Sequence, residues 1–324
     1  MNNYPFQLIQ YDRKGPLEDN SLLAERPFAK TDPSFEADAR RFVPGKRLET
    51  AINTAISVGE PLLITGEPGT GKTQAAYYAA YKLNVEPAIH FQVKSDSTAK
   101  DLLYHFDTVR YFHDAHLVNL EKKAPDSDNT LEKADYVEPR ALWLAFRRGK
   151  DRGVPQVVLI DEIDKAPRDF PNDLLHELDK MAFNISELGL GADVSVPPNL
   201  RPIVFITSNS ERRLPEPFLR RCVYHHIRFD DRLVELAVQA RRQEAFPSLS
   251  DEFIKLAVRR FLSLRDRNLR KKPATGELLV WLNVLSVAVG AYPEQLERDL
   301  SKLPYLGVLL KDHQDIEELG GTPL

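Results

Sequence analysis

Cysteine is nearly absent. The 324-residue chain has one, Cys222, so no disulfide can close within it and a reducing compartment is the expectation. Neither sign of charge is in large excess. The formal net charge of −4 excludes a global basic field of the kind that holds nucleic acid. Long apolar runs are lacking too. The longest, Leu278 to Tyr292, falls short of a bilayer span and contains Asn283 and Ser286. It reads as a buried helix, and no membrane contact is expected. The opening residues Met1-Asn2-Asn3-Tyr4-Pro5 lack the basic-then-apolar pattern of a secretion signal, so a cytoplasmic location is expected.

What is present has the balance of a soluble globular protein, 42% apolar and 28% charged, in a chain long enough for two domains. Residues 1–41 show little periodicity and read as an extended N-terminal arm, ordered where it packs on something. From Phe42 the pattern becomes regular. Leu48 to Val58 reads as a helix, Pro61 to Thr65 as a buried strand bounded by Gly59 and Gly66, and Lys72 to Leu83 as a second helix. Further apolar runs at Ala88–Val93, Val157–Ile160 and Ile203–Thr207 alternate with helical stretches, and Val223–Phe229 suits an edge strand. The expected fold is α/β, a parallel sheet flanked by helices over 42–229. A small all-helical domain over 230–324 should follow, with an N-cap at Ser250, a third helix over Leu278–Val289 and a fourth over Pro293–Leu303. The acidic, Pro-containing segment Lys122–Asp135 reads as a mobile loop.

Gly66-Glu67-Pro68-Gly69-Thr70-Gly71-Lys72-Thr73 fits the phosphate-loop pattern of Gly, four residues, then Gly-Lys-Thr, between a strand and a helix. Its glycines let backbone N–H groups curl around phosphate oxygens at the positive end of a helix. Lys72 would place a charge on the β- and γ-phosphates, and the Thr73 hydroxyl would ligate Mg²⁺. The chain lacks an Asn/Thr-Lys-x-Asp motif, which disfavours guanine and leaves ATP as the expected nucleotide.

Val157-Val158-Leu159-Ile160-Asp161-Glu162 is an apolar strand ending in two carboxylates. On a strand adjacent to the phosphate-loop strand, Asp161 would serve the metal. Glu162 would face the γ-phosphate, where a carboxylate can orient and deprotonate water.

These motifs, together with Ile206-Thr207-Ser208-Asn209 and Leu214 to Arg221, resemble an AAA+ ATPase, and within that superfamily the chain is most similar to the MoxR branch. The resemblance covers about Phe42 to Leu303. It implies a magnesium-dependent ATPase in which Asn209 holds the attacking water with Glu162. It also implies that Arg221, or Arg220 beside it, reaches the ATP of a neighbouring subunit as an arginine finger. An insert over about 102–140 and a hairpin over about 183–196 fit the branch. Tyr104, Tyr111 and Phe112 of the insert either touch a substrate in a ring pore or pack in the insert's own core. The resemblance further implies a self-assembled ring, with six members the expected number, and a protein substrate that carries a von Willebrand factor A domain.

One departure is visible. Lys272 to Leu278, where the family often places a second sensor arginine, has none, leaving Arg270 or Lys271 as substitutes. Two other functions compete. A nucleic-acid motor or loader would use the stretch Arg259 to Lys272, with seven basic residues against one acid. Arg259, Arg260 and Arg267 there read better as a solvated or inter-subunit face. An ATP-gated scaffold with slow turnover is the other alternative.

Overall fold

Residues 35–121, 131–189, 193–288 and 293–320 are described by the computed structural model, and within them the apolar runs become strands. In chain order these are β1 (Leu62–Gly66), β2 (Ile89–Gln92), β3 (Tyr104–Phe106), β4 (Val137–Pro139), β5 (Val157–Asp161), β6 (Ala182–Asn184), β7 (Asp193–Ser195), β8 (Ile203–Ser208) and β9 (Val223–Ile227). Five of them form a parallel sheet in the order β2-β5-β8-β1-β9. β1 and β5 are buried along their whole length, as continuous apolar strands must be when both sheet faces are covered. β2 and β9 alternate in exposure and take the two edges.

The sheet order corrects one expectation. β5, which carries Asp161, is not adjacent to β1, because β8 lies between them. Asp161 nevertheless meets the phosphate loop. The helix Lys72–Lys82 packs on β1, β8 and β5, so its first turn reaches across the intervening strand.

The chain divides into two compact units. Among the described residues, one contains 44–66 and 71–227, and the other 35–43, 67–70 and 228–320. In the sheet unit Val158, Ile160, Val204 and Ile206 pack with Phe146, Phe170 and Leu174 from the covering helices. In the helical unit Phe253, Ile254, Ala257, Val258 and Phe261 share the inner face of the helix Asp251–Arg265 and close around Trp281. The Ser250 hydroxyl accepts the Phe253 N–H at 3.2 Å, the cap its position predicts. The third helix runs Thr275–Val287. The expected fourth helix is one turn, Pro293–Leu296, followed by a short 3₁₀ turn, Leu300–Lys302. The Asp299 carboxylate accepts the Ser301 N–H at 3.2 Å and starts that new turn, which interrupts the helix.

Residues 1–34 of the N-terminal arm lie outside the described residues. Phe35–Arg41 is a helix rather than extended chain, packed on the helix Asp231–Ala245 with Arg41 paired to Glu244. Of the segment read as a mobile loop, 122–130 lie outside the described residues, and Lys133–Tyr136 forms a 3₁₀ turn.

The insert contains the antiparallel pair β3–β4 and the helix Thr108–Glu121. The hairpin expected over 183–196 contains the antiparallel pair β6–β7, and residues 190–192 lie outside the described residues. One carboxylate fastens hairpin to insert. Glu187 accepts a hydrogen bond from the Tyr104 hydroxyl at 2.7 Å and pairs with Lys100. Burial acts to raise its pKa, but the bonds from Lys100 and Tyr104 outweigh this and hold it at about 2. Because the folded pKa lies below the unfolded value, this stabilisation is complete above pH 4.5 and is lost as pH falls towards 2. Glu187→Gln should therefore lower the urea midpoint at pH 7, with the gap from wild type closing between pH 4.5 and 2. A gap that stays constant across that range would contradict the assignment.

Candidate nucleotide site

In a parallel sheet the loops at the carboxyl ends of the strands form the natural ligand crevice, and three of the sequence motifs sit on such loops. The first follows β1. Gly69 and Gly71 have φ of 71° and 90°, a left-handed conformation that side chains disfavour. A Cβ on Gly69 would also lie 2.7 Å from that of Ala274. No side chain caps the helix that begins at Lys72, so its first-turn N–H groups face the loop as an anion site. Lys72 is 6% exposed, and its ammonium donates to the Gly66 carbonyl at 2.9 Å, folding back over the loop.

The second motif ends β5. The Thr73 hydroxyl lies 3.2 Å from both carboxylate oxygens of Asp161. Thr207 on β8 donates its hydroxyl to Asp161, and His90 Nε2 on β2 lies 3.2 Å from it. Burial pushes the Asp161 pKa up, but the bonds from His90 and Thr207 prevail and keep it below the usual carboxylate range.

Glu162 follows with φ of 61°, rare for a residue with a side chain. Its N–H donates to Thr207 Oγ1 at 2.9 Å, so one hydroxyl group serves both acids. The Glu162 carboxylate accepts from Gln92 Nε2 at 2.7 Å, Lys165 Nζ at 2.6 Å and Asn209 Nδ2 at 3.3 Å. Asn209 is placed by Asp164, 3% exposed, which accepts the N–H groups of Asn209 and Glu211 at 3.2 and 2.9 Å.

Lys72, Thr73, Asp161, Glu162 and Asn209 thus lie together at the carboxyl end of the sheet. Arg220 and Arg221 do not. Arg221 lines a small cavity with Gly59, Glu60 and Pro61, which lead into the amino end of β1, the end opposite the phosphate loop. Its Nε donates to Asp179 at 3.0 Å, and Arg220 pairs with Glu216 at 3.5 Å. Cys222 beside them is inert as a thiolate, its pKa pushed up to about 12 by burial and by Glu60.

The family model for the AAA domain (dynein-related subfamily) matches residues 61–222, half of the chain. The chain belongs to this family. A solved structure of a candidate ATPase from Cytophaga hutchinsonii is similar over 88% of this chain and 92% of that one, at 13% identity and a TM-score of 0.40. No curated protein matches the sequence. No helix among the described residues is long and apolar enough to cross a membrane.

Within this AAA domain, several residues around the acids were not singled out by sequence. His90 and Gln92 are alternate polar positions on a short edge strand, a weak signal at best. Lys165 is three residues past Glu162, a spacing that gains meaning only from the turn there. Thr207 lay inside a recognised motif without a role. Of the insert aromatics, Tyr104 is buried against Phe183, Tyr111 packs on Phe106 and Tyr136, and Phe112 is 65% exposed.

No group of three or more His, Cys, Asp or Glu among the described residues is arranged to hold a metal. The oxygen pair Thr73–Asp161 suits Mg²⁺, which takes few protein ligands and completes its shell with phosphate and water. Loss of the buried Thr207 hydroxyl should be felt by the fold. Thr207→Val keeps the shape but strips a donor from Asp161 and an acceptor from Glu162, costing about 1–3 kcal/mol of stability. Thr207→Ser should recover most of it. The check is the denaturant midpoint at unchanged m-value, and equal midpoints for Val and wild type would overturn the bridging role.

Proposed function

We propose that this AAA protein is a cytoplasmic, MoxR-like ATPase that uses hydrolysis to remodel a protein partner. The hydrogen-bonded group Thr73, Asp161, Glu162 and Asn209 at the carboxyl end of the sheet carries this reading. Gly66, Glu67, Pro68, Gly69, Thr70 and Gly71 form the loop that receives the triphosphate, and Lys72 exchanges the Gly66 carbonyl for phosphate oxygens. Thr73 and Asp161 would hold Mg²⁺, which supplies charge neutralisation on the phosphates when bound. Glu162 orients and deprotonates the attacking water, and Asn209 positions both.

Lys165 and Gln92 already occupy Glu162, and the carboxylate beside it raises the Lys165 pKa. The base must be released before it can act, which favours slow turnover in an isolated subunit. This is the observation on the side of an ATP-gated switch. Against a nucleic-acid motor, Arg260 donates to the Arg298 carbonyl and Arg265 is buried, so part of the basic stretch is used inside the helical unit. By the family resemblance, the partner carries a von Willebrand factor A domain and the working form is a ring, expected to be a hexamer.

Glu162→Gln should bind ATP with Mg²⁺ as wild type does and hydrolyse it at least about a hundredfold more slowly. Near-normal turnover would move the base elsewhere.

The position of Arg221 at the opposite end of β1 supports action on a neighbour's nucleotide, with Arg220 as the alternative. Specific activity should then rise with protein concentration. Arg221→Ala and Glu162→Gln chains, each nearly inactive alone, should recover activity when mixed. Arg220→Ala and the double arginine variant belong in the same series. Concentration-independent activity with no recovery in any mixture would mean that one chain holds a complete site, and the ring would have to be abandoned.

A further inference from the structure

The tip of the phosphate loop, residues 67–70, belongs by its contacts to the helical unit and not to the sheet unit from which the loop emerges. A buried cation makes much of that attachment. Arg265 lies in the last turn of the helix Asp251–Arg265 and is only 7% exposed, unusual for a side chain that normally keeps its charge in water. Burial of a guanidinium is costly unless its donors and charge are met. Here they are met on three sides. Arg265 Nη1 donates to the Pro273 carbonyl, Nη2 donates to Glu67 Oε2 at 2.8 Å, and the guanidinium carbon lies 3.4 Å from the centre of the Phe229 ring.

Glu67 is the second position of a loop whose task is to receive a polyanion, and a carboxylate there repels phosphate. Arg265 cancels that charge where it arises. It also fixes the loop's shape. The stretch Gly66–Glu67 is held by two cations, Lys72 on the Gly66 carbonyl and Arg265 on the Glu67 carboxylate. When Lys72 moves to the phosphates, Arg265 still holds the Glu67 carboxylate. Guanidinium geometry suits this task, since a planar fork can serve a carbonyl and a carboxylate at once.

We propose that Arg265 is a positioning residue for the nucleotide. It acts through Glu67, neutralising and anchoring the first part of the phosphate loop from the helical unit, and does not itself touch the phosphates. This rests on the reading of residues 66–73 as an ATP site.

The test is a double-mutant cycle on ATP affinity, measured by titration calorimetry on the full chain. Arg265→Met keeps the apolar bulk of the stem and removes the charge. With Glu67 present it should weaken ATP binding about tenfold or more, while adenosine, which lacks phosphate, changes less than about twofold. In the Glu67→Gln background the same substitution should cost less than about twofold. A purely structural role would give the same loss in both backgrounds and for both ligands. That result, or no loss in either background, overturns the proposal. Should Arg265→Met fail to fold by thermal melting, Arg265→Gln, which can still donate to the Pro273 carbonyl, goes through the same cycle with the same criteria. If the wild-type chain binds no ATP, the reading of the loop fails and takes the proposal with it, an outcome that the wild-type titration alone distinguishes.

Discussion

Asp161 is 6% exposed at the end of β5, and the surroundings that keep it ionised also align the rest of the site. Burial alone would drive the proton onto it. Donors from three different elements oppose this: Thr73 from the first turn after the phosphate loop, Thr207 from β8 and His90 from β2. A buried charge of this kind is expensive if any donor is missing, so it ties helix and strands to one register. The loops after β1, β5 and β8 inherit their relative placement from that tie.

The same threonine extends the arrangement to Glu162. By accepting the Glu162 N–H it holds a backbone at φ of 61°, which persists only where the surroundings over-determine it. This turn aims the carboxylate at Asn209, Gln92 and Lys165. The Glu162 carboxylate is therefore restrained by the same residues that fix its direction. Asp164, next but one in the chain, builds the loop that carries Asn209.

The two ends of β1 border different groups of residues. Its carboxyl end carries the phosphate loop, and its amino end borders the cavity that Arg221 lines. The strand's five residues span about 17 Å, more than a guanidinium side chain can cover. Arg221, at the amino end, is therefore out of reach of Gly66 at the carboxyl end of the same strand. The loop tip, in turn, is held by the helical unit through Arg265 and Glu67.

The sequence alone carried the fold class, the strands at Leu62–Gly66, Val157–Asp161 and Ile203–Ser208, and the Ser250 cap, because these follow from local patterns of apolarity, turn residues and capping. It also carried the phosphate loop and the acid pair, whose chemistry needs particular residues at fixed spacing along one short stretch. The order of the strands was decided only in three dimensions. β8 slips between β5 and β1, and nothing in either strand's own composition records its neighbour. The partners of the acids were decided the same way. His90, Gln92 and Thr207 lie on separate strands, and Arg265 is 198 residues from Glu67 along the chain. A hydrogen bond between distant segments leaves no periodicity behind, since its geometry comes from packing the core that brings them together.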